Sequence, residues 1–290
     1  MGEPDSLWNL RNFFYLGAYQ SAINEGQDLA DLSDGESLER DFFVYRSYVA
    51  LGQSELVMSE IGDASPLGLI AVKTFAKYLT DRSQKDSILA TLTEWMGDPV
   101  ASANPYVCII AGTIFSKEEN FVEALKACHA GTNLEMMALC VQVYLHMNRG
   151  DKAEAQVKAM SKIDDDSTMT QLAMAWVNIS LGGEKVQEAF YIFQELGDKF
   201  NWTSMLHNGS GICNLKMGRY EEAERDLLDA LNKDAQDANA LANIITCQFH
   251  LGKAVSRYAS QLKMIDPEHA LVKLTTSAEE AFQRAAAAFA

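Results

Sequence analysis

Three groups of residues in this 290-residue chain carry side chains able to do chemistry: five histidines, five cysteines and a run of three aspartates. A zinc centre needs ligands at short, regular spacings, and His129, His146, His207, His250 and His269 fall in no His-Glu-x-x-His or Cys-x-x-Cys frame. They read as structural or solvated histidines. The cysteines sit among Val, Ile, Leu and Ala at helical spacing and read as buried reduced thiols, which fits a reducing compartment. Asp164, Asp165 and Asp166 offer carboxylates to Ca²⁺ but lack the glycine and distal glutamate of a calcium loop, so they read as a solvated turn. Phosphate loops, dinucleotide loops and nucleophile elbows have no match. The expectation is a non-enzymatic chain with no catalytic residue, no metal ligand and no cofactor.

Charge narrows the partners. A formal net charge of −16 argues against nucleic acid and against direct adhesion to anionic lipid, both polyanions. Met1-Gly2 with Ser6 fits the loose myristoylation pattern, but Glu3, Pro4 and Asp5 favour a helix cap there instead. The acidic start lacks a signal-peptide pattern and no stretch reaches 18 apolar residues, which predicts a soluble cytosolic protein. In that setting the sequons at Asn178, Asn201 and Asn208 are chance matches.

What must position these residues is a repeat. Gly17-x-Tyr19-x-x-Ala22, Gly52-x-Ser54-x-x-Val57, Gly183 with Val186 and Ala189, Gly218-x-Tyr220-x-x-Ala223 and Gly252-x-Ala254 recur in steps of 35, 35 and 34 residues where they are consecutive. A period near 34 is that of stacked helical hairpins, none of which can bury its apolar stripe alone. The clearest copy runs from Met205 to Ala238: a first helix stopping at Gly218, then a second with an acidic first turn. Small Gly211 and Ala223 mark a close crossing of the two. Cys213 and Cys247 occupy one slot of consecutive repeats. Phe121 to Leu125 and Gly150 to Ala153 follow the same template more loosely.

The fold class predicted is all-α: a right-handed α-solenoid of tetratricopeptide-like hairpins with a C-terminal capping helix, built from about 14 to 18 helices. With five prolines and 48% apolar residues the chain has little room for disorder. Residues 1–290 form a single solenoid, with N-terminal repeats over 5–96, a breaker over 97–105, later repeats over 106–267 and the capping helix over 270–290. The breaker holds two prolines in nine residues and is either a hinge or a long loop. Repeat register between Pro66 and Pro105 is eroded, and Ser277 to Glu280 reads as a capping box opening the last helix.

In stacked hairpins the first helix of each pair lines the inner face. Its non-core positions are Gln142, Met174, Asn178, Asn208, Ile212, Leu215, Asn243, Thr246 and Phe249. This mix of amide, hydroxyl and apolar groups suits a polypeptide segment, though any one of them equally suits packing between repeats. Met136, Met137 and Met147 read as core filler.

The run Leu7-Trp-Asn-Leu-Arg-Asn-Phe-Phe-Tyr-Leu-Gly-Ala-Tyr-Gln-Ser-Ala-Ile-Asn-Glu25 resembles the opening of the epsilon subunits of coatomer. Phe43 to Leu51, Lys216 to Leu228 and Pro267-Glu-His-Ala270 agree with that family in order and spacing. The resemblance implies a structural subunit of the COPI coat, cytoplasmic and peripheral on Golgi membranes and vesicles. It implies binding to the C-terminal domain of alpha-COP within the coatomer complex, membrane contact only through the coat, and a part in retrograde Golgi-to-ER and intra-Golgi transport. The alternative is a generic tetratricopeptide adaptor or co-chaperone gripping acidic tails. Lys216 and Arg46 are present, but no paired basic clamp recurs across adjacent repeats.

Overall fold

The computed structural model of the chain describes residues 5–129, 131 and 133–289. The Met1-Gly2 pattern lies outside them. Among the described residues there are seventeen α-helices, one short 3-10 turn at Arg82–Gln84 and no strand. The chain divides into two compact units, Met1–Leu181 and Gly182–Ala290. The first contains α1 (Trp8–Tyr15), α2 (Tyr19–Asp28), α3 (Asp34–Ala50), α4 (Ser54–Glu60), α5 (Leu67–Thr80), α6 (Lys85–Gly97), α7 (Pro105–Lys117), α8 (Phe121–Cys128), α9 (Leu134–His146), α10 (Gly150–Ser161) and α11 (Thr168–Leu181). The second contains α12 (Lys185–Lys199), α13 (Ser204–Lys216), α14 (Tyr220–Lys233), α15 (Ala238–His250), α16 (Ser256–Ile265) and α17 (Ala270–Phe289).

One turn chemistry separates the helices of most hairpins. Gly17, Gly52, Gly218 and Gly252 have φ between 67° and 78°, the left-handed region. Beyond each, the next backbone N–H donates to the carbonyl five residues back: Ala18 to Phe13, Gln53 to Tyr48, Arg219 to Asn214 and Lys253 to Gln248, at 2.8–2.9 Å. That is the bond of a Schellman stop, and it satisfies carbonyls the helix leaves unpaired. Glu119 (φ 57°) and Asn148 (φ 55°) hold the same place in α7/α8 and α9/α10, with Asn120 donating to Phe115 and Arg149 to Tyr144. These hairpins therefore obey the repeat without its glycine.

Helix starts are set by short polar side chains. Asn104 accepts from the amides of Tyr106 and Val107 ahead of Pro105, Thr203 accepts from Leu206, and Asp237 accepts from Asn239 and Ala240. Ser33 and Glu36 form a capping box at α3, whose hydrogen bonds hold the Glu36 carboxyl down at about 2. Ser277, by contrast, lies in the interior of α17, which begins seven residues earlier. Its hydroxyl has no free amide to cap there, because every N–H past the first turn is committed to the helix.

Within each unit the first helices of successive hairpins pack on one another: α3 on α5, α5 on α7, α7 on α9 and α9 on α11 in the first, α13 on α15 in the second. The first unit's main core runs from Phe42 through Val72, Ile110 and Phe115 to Val143. The 98–104 connection lies inside this unit and buries Ala101. In the second unit α13 and α14 cross most closely at Gly211, where a Cβ would come 2.7 Å from Leu227 Cγ. Ala223 and Leu227 are fully buried on the facing helix. α17 rests on α16 through Leu271 and Val272, while Leu274, Phe282 and Phe289 are exposed.

Candidate protein-binding surface

In the second unit the expected positions fall on α13 and α15, which lie side by side. Asn243 Nδ2 donates to Asn208 Oδ1 at 2.8 Å, joining equivalent sites of consecutive repeats. Helical spacing then puts Asn208, Ile212 and Leu215 on one stripe of α13, beside Asn243, Thr246 and Phe249 on α15. The stripe grades from buried to open. Asn208 is buried, Ile212 and Asn243 are half-buried, and Phe249 is 66% exposed. Thr246 is exposed with its hydroxyl donating back to Ala242 O, and Leu215 packs on the Ala223–Leu227 cluster. Leu215 thus serves the α13–α14–α15 core.

Beneath the stripe runs a polar seam. Asp226 of α14 accepts from Ser210 Oγ at 2.7 Å and Asn214 Nδ2 at 2.9 Å, both buried donors on α13. His207 stacks on Trp202, ring centroids 4.7 Å apart, and its Nδ1 is buried with no hydrogen-bond partner. Burial pushes its pKa below the ordinary histidine value, opposed by Asp229 and Asp226. The imidazole is a packing group here.

The expected positions in the first unit are less open. Gln142 of α9 is exposed, but Met174 of α11 packs into the cluster around Val141, Met160 and Val177, and Asn178 is buried. Met136 and Met137 are core, whereas Met147, the C-cap of α9, is partly exposed. Sequence reasoning missed what joins the start of this unit to its later helices. Arg46 of α3 and Glu135 of α9 form an ion pair at 2.6 Å, and Tyr15 of α1 donates to Glu135 Oε2 at 3.2 Å. The guanidinium lies 4.4 Å from the Phe14 ring and 4.7 Å from Phe42. Thr168 of α11 donates to Asn12 Oδ1 of α1 at 2.6 Å. These pairs span 89 to 156 residues, and no local pattern announces them. Arg46 is committed to Glu135 and is not a basic clamp.

Among the described residues no group of His, Cys, Asp and Glu is arranged to hold a metal, and no helix is long and apolar enough to cross a membrane. What the α13–α15 pair presents is a hydrogen-bonded amide pair, Asn208 with Asn243, on packed helices, with the exposed Phe249 ring on α15.

A family model described as the coatomer epsilon subunit matches residues 3–290. The chain is 49% identical over 290 residues to coatomer subunit epsilon-1 of Arabidopsis thaliana, covering 100% of this chain and 99% of the relative. It is 50% identical to coatomer subunit epsilon-1 of Oryza sativa subsp. japonica, covering all of both. It is 32% identical to coatomer subunit epsilon of Dictyostelium discoideum, covering 97% of each. Among solved structures it is similar to a tetratricopeptide repeat protein from Parabacteroides merdae, TM-score 0.58 at 13% identity, covering 93% of this chain and 97% of that one. A chain of the Cut9–Hcn1 hetero-tetramer gives TM-score 0.61 at 13% identity, covering 90% of this chain and 52% of that one. At these identities the structural likeness speaks to fold alone, an α-solenoid of tetratricopeptide-like hairpins.

Proposed function

The chain belongs to the coatomer epsilon subunit family, and from that we propose that it binds the C-terminal domain of alpha-COP through the α13–α15 face of its second unit. As a member of the family it is a structural component of the COPI coat, assembles with the rest of coatomer and is not an enzyme. By the same reading it works at Golgi membranes and on COPI-coated vesicles in retrograde Golgi-to-ER and intra-Golgi transport, and reaches the membrane only through other coat subunits. Its acidic balance supports that division of labour, because a net charge of −16 is repelled by an anionic leaflet.

The observation that carries the docking site is Phe249. A large aromatic ring, 66% exposed, stands on α15, the helix that carries half-buried Asn243 and packs on α13 with its half-buried Ile212. Aromatic anchors supply much of the energy of protein interfaces because they desolvate a large area at little entropic cost. The test is co-elution of the purified chain with the alpha-COP C-terminal domain. Wild type should form a 1:1 complex, and Phe249→Asp should weaken it at least about tenfold by forcing an unpaired charge into a desolvated contact. Unchanged affinity of a folded Phe249→Asp variant would move the site off this face. Ile212→Asp is the second probe; Leu215→Asp is avoided because Leu215 packs in the core.

A further inference from the structure

We infer that Cys128 and Cys140 are a modification site, a buried dithiol that a hydroperoxide converts to an intramolecular disulfide tying α8 to α9. Cys128 is the last residue of α8 and Cys140 lies midway along α9. Their Sγ atoms are 3.0 Å apart, and Cys128 Sγ also contacts Ala124 O at 3.0 Å. A disulfide needs its sulfurs about 2.05 Å apart, so bonding asks for an approach of only about 1 Å, within reach of small χ1 adjustments. Cys213 and Cys247, by contrast, lie on α13 and α15 of the second unit, and Cys247 Sγ contacts Tyr220 O. Burial raises their pKa to about 12 and about 11.

The cavity nearest to the pair borders the helix that carries Cys128. It has a volume of about 710 Å³ and is lined by Met96, Cys108, Ala127 and Met136 among others. Ala127 immediately precedes Cys128, and Met136 lies one helical turn before Cys140 on the same stripe. Cys128 and Cys140 lie behind this lining, 1% and 2% exposed, so peroxide reaches them through local opening of α8 and α9. Cys108, by contrast, lines the cavity itself, with its sulfur in contact with Ser102 O at 3.2 Å.

Hydrogen bonding to Cys128 holds the Cys140 thiol below its ordinary value against the opposing effect of burial, while the same contact pushes Cys128 up. The reaction opens at one of the two thiols, here Cys140. Its thiolate attacks one peroxide oxygen, the O–O bond breaks, and Cys140 becomes a sulfenic acid as the other oxygen leaves as water after taking up the thiol proton. The Cys128 sulfur then displaces the sulfenic hydroxyl, which departs as a second water with the Cys128 proton. Two thiols are oxidised to one disulfide and one peroxide is reduced to two waters.

The test uses the full chain. After treatment with hydrogen peroxide and removal of the excess, the protein is unfolded, alkylated with N-ethylmaleimide and mapped by mass spectrometry. The alkylable thiols should fall from five to three, with a Cys128–Cys140 linked peptide that dithiothreitol abolishes. The thermal midpoint of the oxidised protein should rise and return on reduction, since the new bond constrains the unfolded chain. Five thiols still alkylable, a bond mapped to Cys108 or between molecules, or over-oxidation at single sites would each overturn the proposal. The wild-type map decides the matter alone. Cys108→Ala should keep the linked peptide and Cys140→Ala should lose it.

Discussion

Arg46 reaches Glu135 across 89 residues of sequence, guanidinium to carboxylate at 2.6 Å, with the Phe14 ring 4.4 Å from the charge. Both side chains are nearly closed to solvent, 13% and 10% exposed, and one guanidinium nitrogen, Nη1, is buried without a hydrogen-bond partner. A buried pair of this kind is costly to break because the surviving charge keeps its desolvation penalty. Glu135→Ala and Arg46→Ala should each lower unfolding free energy by about 3–5 kcal/mol. The apolar pair Arg46→Met with Glu135→Leu should recover most of that loss. Chemical denaturation of wild type, the two alanine singles and the double Arg46→Ala with Glu135→Ala forms the cycle, with the apolar pair measured alongside; additive single effects below about 1 kcal/mol would mean that the charges are solvated.

Gly211 and Ala223 set the approach of α13 and α14. Gly211→Ala places a methyl 2.7 Å from Leu227 Cγ and 2.8 Å from its Cδ2, so it should cost about 1–3 kcal/mol by overpacking. Ala223→Leu on the facing helix should cost at least as much, because its site is fully buried. Thermal melting of the two variants checks both, and an unchanged midpoint for either would contradict this crossing.

Asp226 holds two buried donors of α13. Asp226→Ala leaves Ser210 and Asn214 without their acceptor and should cost about 1–3 kcal/mol. Asp229, exposed on the same helix, should tolerate alanine within about 0.5 kcal/mol. Equal losses at the two positions, measured by urea unfolding, would show that the seam adds nothing specific.

His207 predicts a pH dependence. Its folded pKa is depressed by burial, so the folded protein favours neutral imidazole, and the unfolded chain takes up the proton first as pH falls below the ordinary value of 6.5. Stability from this residue is therefore full above 6.5 and lost progressively on acidification. His207→Gln should flatten that part of the profile of thermal midpoint against pH. A profile with the same slope in the variant would assign the effect to other groups.

Much of this fold is legible in the sequence because its determinants are local. A helix stop needs one residue in the left-handed region and a hydrogen bond five residues back. A cap needs one short polar side chain, and an amphipathic stripe needs the 3.6-residue period. Gly218 and the pair Gly211 with Ala223 announce themselves on those terms, and the shared slot of Cys213 and Cys247 gives the register between repeats. Even here the signal is a conformation and not a residue type: Glu119 and Asn148 adopt it without glycine, held by the Asn120–Phe115 and Arg149–Tyr144 bonds.

What tertiary structure alone decided is whatever depends on helices distant in sequence. Gln142, Met174 and Asn178 look alike when counted from their repeats, yet packing leaves the first exposed, half-buries the second and buries the third. Tyr15, Arg46 and Glu135 belong to three different hairpins and meet only because the first unit brings α1, α3 and α9 together. The strongest breaker, over 97–105, lies within one unit, while the division falls at Leu181 and Gly182. A repeat motif specifies how each hairpin closes and stacks on its neighbour. Contacts between non-neighbours arise from the accumulated rotation of many such steps, a quantity no single window of sequence contains.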